Sequence, residues 1–292
     1  MADQGSLAKV DRGPLAMPHA TLSIGALEHA LLKAFPQEWA ESWDRTGLLV
    51  GDPAQTVQGV AIALDVTPDA IGQAKAAGAN VLLTHHPAFL STDGRVRPDL
   101  ALDVSGGRIV WDAITKGIAL MNFHTALDVS PQAATVLPGL LRLQYLHPLV
   151  YAPQTPGYGY GQVCAVPEEE GIASVRQLAA RCVSVFEREP RVWGAADREV
   201  KRVATWTGSV GGMVSAATAR DIDCLICGEI KYHEALALAG EGLAIIELGH
   251  DVSELPLTLP LSQAAIQAGV DESRIVLLDQ SGNWYTPQNT RL

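Results

Sequence analysis

Short apolar runs alternate with helical patterns along most of the chain, and this alternation restricts the fold more than any other feature. Residues 24–35 (IGALEHALLKAF) put Leu27, Leu31 and Ala34 on one stripe, as an amphipathic helix does. An apolar strand is predicted over 57–65. A helix follows over 67–78, with Thr67 as cap, Pro68 in its first position and Gly78 at its end. Residues 80–84 read as the next strand, then a helix over 107–117 and a strand over 118–124. Further strands are predicted at 163–167, 200–208, 223–228 and 243–249, and further helices at 174–186, 212–220 and 231–240. The segment 149–162 (LVYAPQTPGYGYGQ), rich in Pro, Gly and Tyr, reads as a loop or domain connection. Strands joined through helices run parallel, so the fold class is α/β with mixed, largely parallel sheets.

A gapless overlay of 63–86 on 206–229 sets Ile71 over Val214, Ala74 over Ala217 and Leu82 over Leu225. Either the chain is two related α/β halves with a cleft between them, or two strand–helix–strand units share their period by chance.

Composition narrows the function. The chain has 292 residues, 48% of them hydrophobic, enough for a substantial core. A net charge of −11 argues against a nucleic-acid surface. No apolar run approaches the roughly 18 residues of a membrane span. Residues 1–20 lack an apolar signal core and read as a flexible lead-in. The four cysteines, Cys164, Cys182, Cys224 and Cys227, lie in apolar runs. The single C-x-x-C reads as buried apolar cysteines rather than a zinc or redox pair, and the expected compartment is the reduced cytoplasm.

In α/β sheets ligands gather at the carboxyl ends of the strands. Here those ends carry Asp65, the pair His85–His86 in LLTHHP, His124 and Asp128 in NFHTALD, and His250 and Glu254 in GHDVSE. Four of the eight histidines stand at strand ends; His19, His29, His147 and His233 do not. Consecutive side chains of a strand diverge. Two adjacent imidazoles beyond a strand end can therefore serve two neighbouring ions, with a carboxylate bridging them. Imidazole with carboxylate suits Zn, Fe, Mn, Co or Ni better than Mg or Ca. The set His85, His86, Asp128, His250 and Glu254 reads as a dinuclear site; the same residue types also cap and turn loops.

LLTHHPAFL, NFHTALDV, ICGEIKYHEALAL and GHDVSE, in this order, together with WDRTGLLVGDP at 43–53, resemble the motifs of the Nif-three-like dinuclear-metal proteins, whose bacterial members are called GTP cyclohydrolase type 2 homologues. The likeness covers roughly residues 22–270. It implies two α/β domains with a metal site between them, here a first domain over 21–130 and a second over 131–292, with 250–292 free to return onto the first. It also implies a toroidal homohexamer, a trimer of dimers. By motif, His85, His86, Asp128, His250 and Glu254 are the ligands of two divalent ions per protomer, Zn foremost. His124 would support the ligands from behind or move protons, or else anchor a loop; Glu229 would be an outer carboxylate or proton acceptor, or else cap the helix at 230–239. Asp44 and Asp65 would orient imidazoles, or serve as turn and cap residues. Tyr232 and His233 are expected to pack or face solvent.

Several departures from the family pattern stand out, among them a Gly-rich turn that reads TGSVGGM and an atypical stretch over 130–165. Pro256 and Pro260 follow the last motif, so His250 and Glu254 are expected on a turn rather than on successive helical turns. The chain is also too short for the large domain that long members insert. GSVGG at 208–212 could meet a phosphate through its amides or form a tight turn. No P-loop or dinucleotide fingerprint occurs. The leading expectation is a metal-dependent hydrolase of a nucleotide or other phosphorylated small molecule, with opening of the GTP purine ring as the reaction the family label suggests. The alternative is a ring-shaped metal-binding interaction or regulatory protein.

Overall fold

The computed structural model describes residues 21–90, 98, 106–215, 219–280 and 283–284; the predicted tail over 1–20 lies outside them. Ser23 opens the first helix by accepting the Ala26 amide, and α1 (Ile24–Ala34) buries Ile24, Leu27 and Leu31. Then follow β1 (Gly47–Val50), β2 (Val60–Ala63), α2 (Pro68–Ala76), β3 (Val81–Thr84), α3 (Gly107–Lys116), β4 (Ala119–Asn122), α4 (Thr125–Asp128) and α5 (Val136–Leu141). The chain goes on through β5 (Gln144–Tyr151), β6 (Gly159–Ala165), α6 (Val175–Phe186), β7 (Arg191–Trp193), β8 (Arg202–Ser209) and β9 (Cys224–Glu229). It ends with α7 (Tyr232–Gly240), β10 (Ala244–Glu247), α8 (His250–Glu254), α9 (Thr258–Gln267) and β11 (Ile275–Leu277).

The first sheet has the order β1-β4-β3-β2-β11, and the second β5-β6-β8-β9-β10-β7. In the first, β11, β2, β3 and β4 are parallel and β1 is antiparallel at the edge. In the second, β8, β9 and β10 are parallel, with antiparallel β6 and β5 on one side and β7 on the other. The α/β class with mixed sheets holds.

Strand alternation sorts the core into layers. Ile62 and Leu83 face α1 and α9, while Ala61, Ala63 and Leu82 face α2 and α3. In the second sheet Cys224 and Ile226 pack toward α6, and Leu225 and Cys227 toward α7. All four cysteines are free and buried. Cys224 and Cys227 therefore belong to opposite faces of β9, which fits the apolar reading.

Three expectations fail. The stretch 149–162 is no mere connection: β5 and β6 form an antiparallel hairpin with Tyr151 opposite Gly159. The helix expected over 212–220 is absent from its described residues, which form turns and irregular chain. Gly211 and Gly212 both take positive φ there, a conformation that does not propagate a right-handed helix. Residues 216–218 lie outside the described set, so the overlay on 63–86 keeps its two parallel strands but not its helix. Finally, His250–Glu254 is helical. Pro256 lies beyond it in a 3₁₀ turn, and Pro260 sits in the first turn of α9, where an amide has no intrahelical partner to lose.

Candidate metal centre

Parallel pairing delivers both histidines of the H-H-P motif. The His85 and His86 amides extend the β3 ladder onto the Ala63 and Leu64 carbonyls, at 3.3 and 2.9 Å. His124 ends the β4 run and leads into α4, which carries Asp128 one turn on. α8 sets His250 and Glu254 one turn apart on a single face. Gly249, with φ +110, makes the turn from β10 into α8.

The four imidazoles share one arrangement. In each, Nδ1 meets an oxygen acceptor behind the ring. His85 Nδ1 donates to the Phe123 carbonyl at 3.1 Å, and His86 Nδ1 to Asp65 Oδ1 at 2.7 Å. His124 Nδ1 lies 3.1 Å from Asp44 Oδ1, and His250 Nδ1 3.1 Å from Glu229 Oε2. A carbonyl and a carboxylate only accept, so Nδ1 carries the proton, and in the neutral ring Nε2 is a bare lone pair. The Nε2 atoms of His85, His86 and His250 face carboxylates. His85 Nε2 lies 3.5 Å from Asp128 Oδ1 and 3.8 Å from Glu254 Oε1. His86 and His250 Nε2 approach Glu254 Oε2 at 2.9 and 3.1 Å.

Three groups each bring their ligand atoms within 4.8 Å of one another: His85, His86 and His124; His86, His250 and Glu254; His85, Asp128 and Glu254. Glu254 belongs to two of them. His85 Nε2, Asp128 Oδ1 and Glu254 Oε2 are buried without an aligned hydrogen-bond partner. Orphaned buried acceptors are costly, and lone pairs aimed at carboxylates repel them unless a positive charge stands between. The residues present thus fit a divalent cation, with nitrogen and oxygen donors and the ring tethers that metal-binding histidines use.

Protons are the other source of that charge. Burial opposes protonation of His86, but its bond to Asp65 and the nearby Glu254 outweigh it and push its pKa up to about 10. Glu254 holds His250 up at about 9, against burial and with help from Glu229. Burial also works against a proton on His85, and Asp128 and Glu254 overcome it and raise its pKa. Burial alone would raise Glu254, yet His250, His85 and His86 hold it well below the usual carboxylate range. Asp128 is raised, chiefly by burial.

Each residue singled out in the sequence can be placed. His85, His86, Asp128, His250 and Glu254 meet. His124 joins them, its ring 5.1 and 5.4 Å from those of His85 and His86. Asp44, Asp65 and Glu229 stand behind imidazoles. Asp44 Oδ2 also accepts the Thr125 hydroxyl and amide, and these bonds with the one to His124 lower its pKa despite burial. Glu229 does not cap α7, which begins at Tyr232 after Lys231 and has no side-chain cap. Tyr232 and His233 are exposed. The amides of Gly208 and Val210 in GSVGG are engaged by Ser253 Oγ and the Glu229 carbonyl.

Sequence reasoning missed the role of Gly208. A Cβ on it would overlap Glu254 Oε1, and its φ of +61 favours glycine. It missed the Phe123 carbonyl as well, because a backbone acceptor leaves no mark in residue type.

A family model described as Duf34/NIF3 (NGG1p interacting factor 3) matches residues 22–279. The chain belongs to the DUF34/NIF3 family. A Streptomyces coelicolor relative called "GTP cyclohydrolase 1 type 2 homolog" is 33% identical over 250 residues, covering 82% of this chain and 83% of that one. Two solved structures share the fold. A Staphylococcus aureus hypothetical protein superposes with a TM-score of 0.78 at 24% identity, over 91% of this chain and 99% of that one. A Bacillus cereus protein related to NIF3 gives 0.74 at 18% identity, over 88% and 96%. This DUF34/NIF3 chain thus has the two-sheet framework of its solved relatives. None of its described helices is long and apolar enough to cross a membrane.

Proposed function

We propose that this family member is a metal-dependent hydrolase whose centre holds two divalent transition-metal ions, Zn foremost, at His85, His86, Asp128, His250 and Glu254. The observation that carries the reading is the set of buried atoms His85 Nε2, Asp128 Oδ1 and Glu254 Oε2, none with an aligned hydrogen bond, gathered among imidazoles whose other nitrogens are tied down. Glu254 turns Oε1 toward His85 and Oε2 toward His86 and His250, as a carboxylate serving two ions would.

Bound there, the ions would supply Lewis acidity and lower the pKa of a water. The chain's own residues do the rest. Asp65, Glu229 and the Phe123 carbonyl fix the tautomer of His86, His250 and His85. His124, fixed by Asp44, can accept or return a proton at Nε2. Trp43 is 52% exposed and its ring lies 5.8 Å from that of His124. It offers a flat apolar face beside the centre, which supports a substrate with a planar ring, a nucleotide in keeping with the relatives' name.

The proposal extends to assembly and place. Exposed Trp111 and Ile114 on α3 offer an apolar face for self-association, which we extend to a homohexamer, and the buried free cysteines fit the cytoplasm.

Metal analysis tests the centre: about two ions per protomer are expected, lost in Asp128→Ala/Glu254→Ala. Unchanged metal content in that variant overturns the assignment. Turnover of GTP or of a phosphoester panel, abolished in His86→Ala, tests the hydrolase. If the loaded protein turns over none of them, the reading of a non-catalytic metal-binding protein stands instead.

A further inference from the structure

The C-terminal segment reaches the candidate centre from behind at two points. After β11, the Leu278 amide donates to the Ile62 carbonyl at 2.8 Å. Gln280, only 5% exposed, then continues the pairing with its side chain. Its Oε1 accepts the Leu64 and Asp65 amides at 2.8 and 2.9 Å, and its Nε2 donates to the Asp65 carbonyl at 3.0 Å. A primary amide carries the same donor and acceptor as a peptide. Gln280 thus acts as one more rung of parallel sheet for a stretch lying beyond the end of β2. The residue it holds is Asp65, the tether of His86.

Trp284 makes the second contact. Its indole Nε1 donates to Asp251 Oδ2 at 3.1 Å. Arg188 stacks over the indole at 4.4 Å and donates from Nη1 to both Asp251 oxygens, at 3.1 and 3.0 Å. Asp251 follows His250 in α8. The described C-terminal residues therefore hold the tether of His86 and the chain neighbour of His250, whose Nε2 atoms converge on Glu254 Oε2. His85, in the group with Asp128 and Glu254, takes its tether from the Phe123 carbonyl instead.

We propose that Gln280 and Trp284 are positioning residues that set the separation of His86 and His250, and so the affinity of the His86–His250–Glu254 position for a divalent transition-metal ion, without governing the His85–Asp128–Glu254 position. This rests on the two-metal reading above. Metal coordination tolerates errors of only about 0.2 Å in ligand distance, and loosening what stands behind a ligating imidazole costs about 10–100-fold in affinity.

Cobalt(II) titration of the full-length metal-free chain, followed by its visible d–d absorption, tests this. Wild type should show two binding classes. Gln280→Ala and Trp284→Ala should each weaken one class, by less than the about 10–100-fold expected on removing a direct tether, and leave the other unchanged, with the double variant weaker still in the same class. Trp284→Phe keeps the ring under Arg188 but loses the indole donor, and should fall between. The unaffected class reports that the variants are folded. Should Gln280→Ala not fold, the half-exposed Trp284 carries the test. Variants with both classes unchanged, or both weakened alike, overturn the proposal while the two-metal reading stands. A wild type that takes up no cobalt overturns the metal reading and the proposal with it.

Discussion

Glu254 occupies the space that a side chain on Gly208 would need: a Cβ there would overlap Glu254 Oε1 and lie 3.4 Å from His250 Nε2. The absence of a side chain on β8 is thus part of the centre carried by α8. Gly208→Ala should push the carboxylate off its position and strain a left-handed backbone by about 1–2 kcal/mol. Lower metal content together with a lower unfolding temperature is the expected result. A variant with wild-type metal content would show that Glu254 is not held in place from this side.

Asp65 Oδ1 meets His86 Nδ1 at 2.7 Å. Asp65→Ala should therefore weaken metal binding by about 10–100-fold, while Asp65→Asn, which keeps an acceptor, should lose less. Competition against a chromophoric chelator measures both. Equal affinities in all three proteins would remove Asp65 from the centre.

Protons and metal compete for the same imidazoles. His86 and His250 are raised from 6.5 to about 10 and about 9 in the metal-free chain. Because these folded values lie above the unfolded one, the stability they add is complete below pH 6.5 and is lost as pH climbs through 9 and 10. Metal-free protein should thus lose stability across that alkaline window. Metal loading near neutrality should release protons, and metal affinity should rise with pH. Calorimetry in buffers of different ionisation enthalpy reads the release directly; zero release contradicts the pairing with Glu254.

Glu254→Gln keeps the shape and removes the charge. In the metal-free chain His86 and His250 should then titrate much closer to 6.5, since Glu254 is a main reason for both raised values. Metal should be lost with it. Imidazole nitrogen NMR across a pH titration follows both rings, and unshifted midpoints would assign the raised values to Asp65 and Glu229 alone.

The fold was largely legible because most strands and helices span enough residues to show a period. β7 and β11, at three residues each, are too short for one. The β5–β6 hairpin hid behind Pro and Gly that read as loop, and the expected helix at 212–220 gave way to turns at Gly211 and Gly212. The overlay of 63–86 on 206–229 sets Asp65 over Gly208 and His86 over Glu229. All four lie at the centre, although the helix between the second pair of strands is absent from its described residues.

By itself the sequence determined which side chains stand at the strand ends, because apolar periodicity places those ends and the residue types there are visible. It offered Asp44 and Asp65 as orienting residues and Glu229 as an outer carboxylate, but it could not pair them with particular rings or find the Phe123 carbonyl and Gln280. These groups act across separations of 21 to 215 residues, in bonds that leave no local pattern. Only the packing of α8 against β8 and β9, beside the strand ends of the first sheet, decided that the Nε2 lone pairs of His85, His86 and His250 face carboxylates.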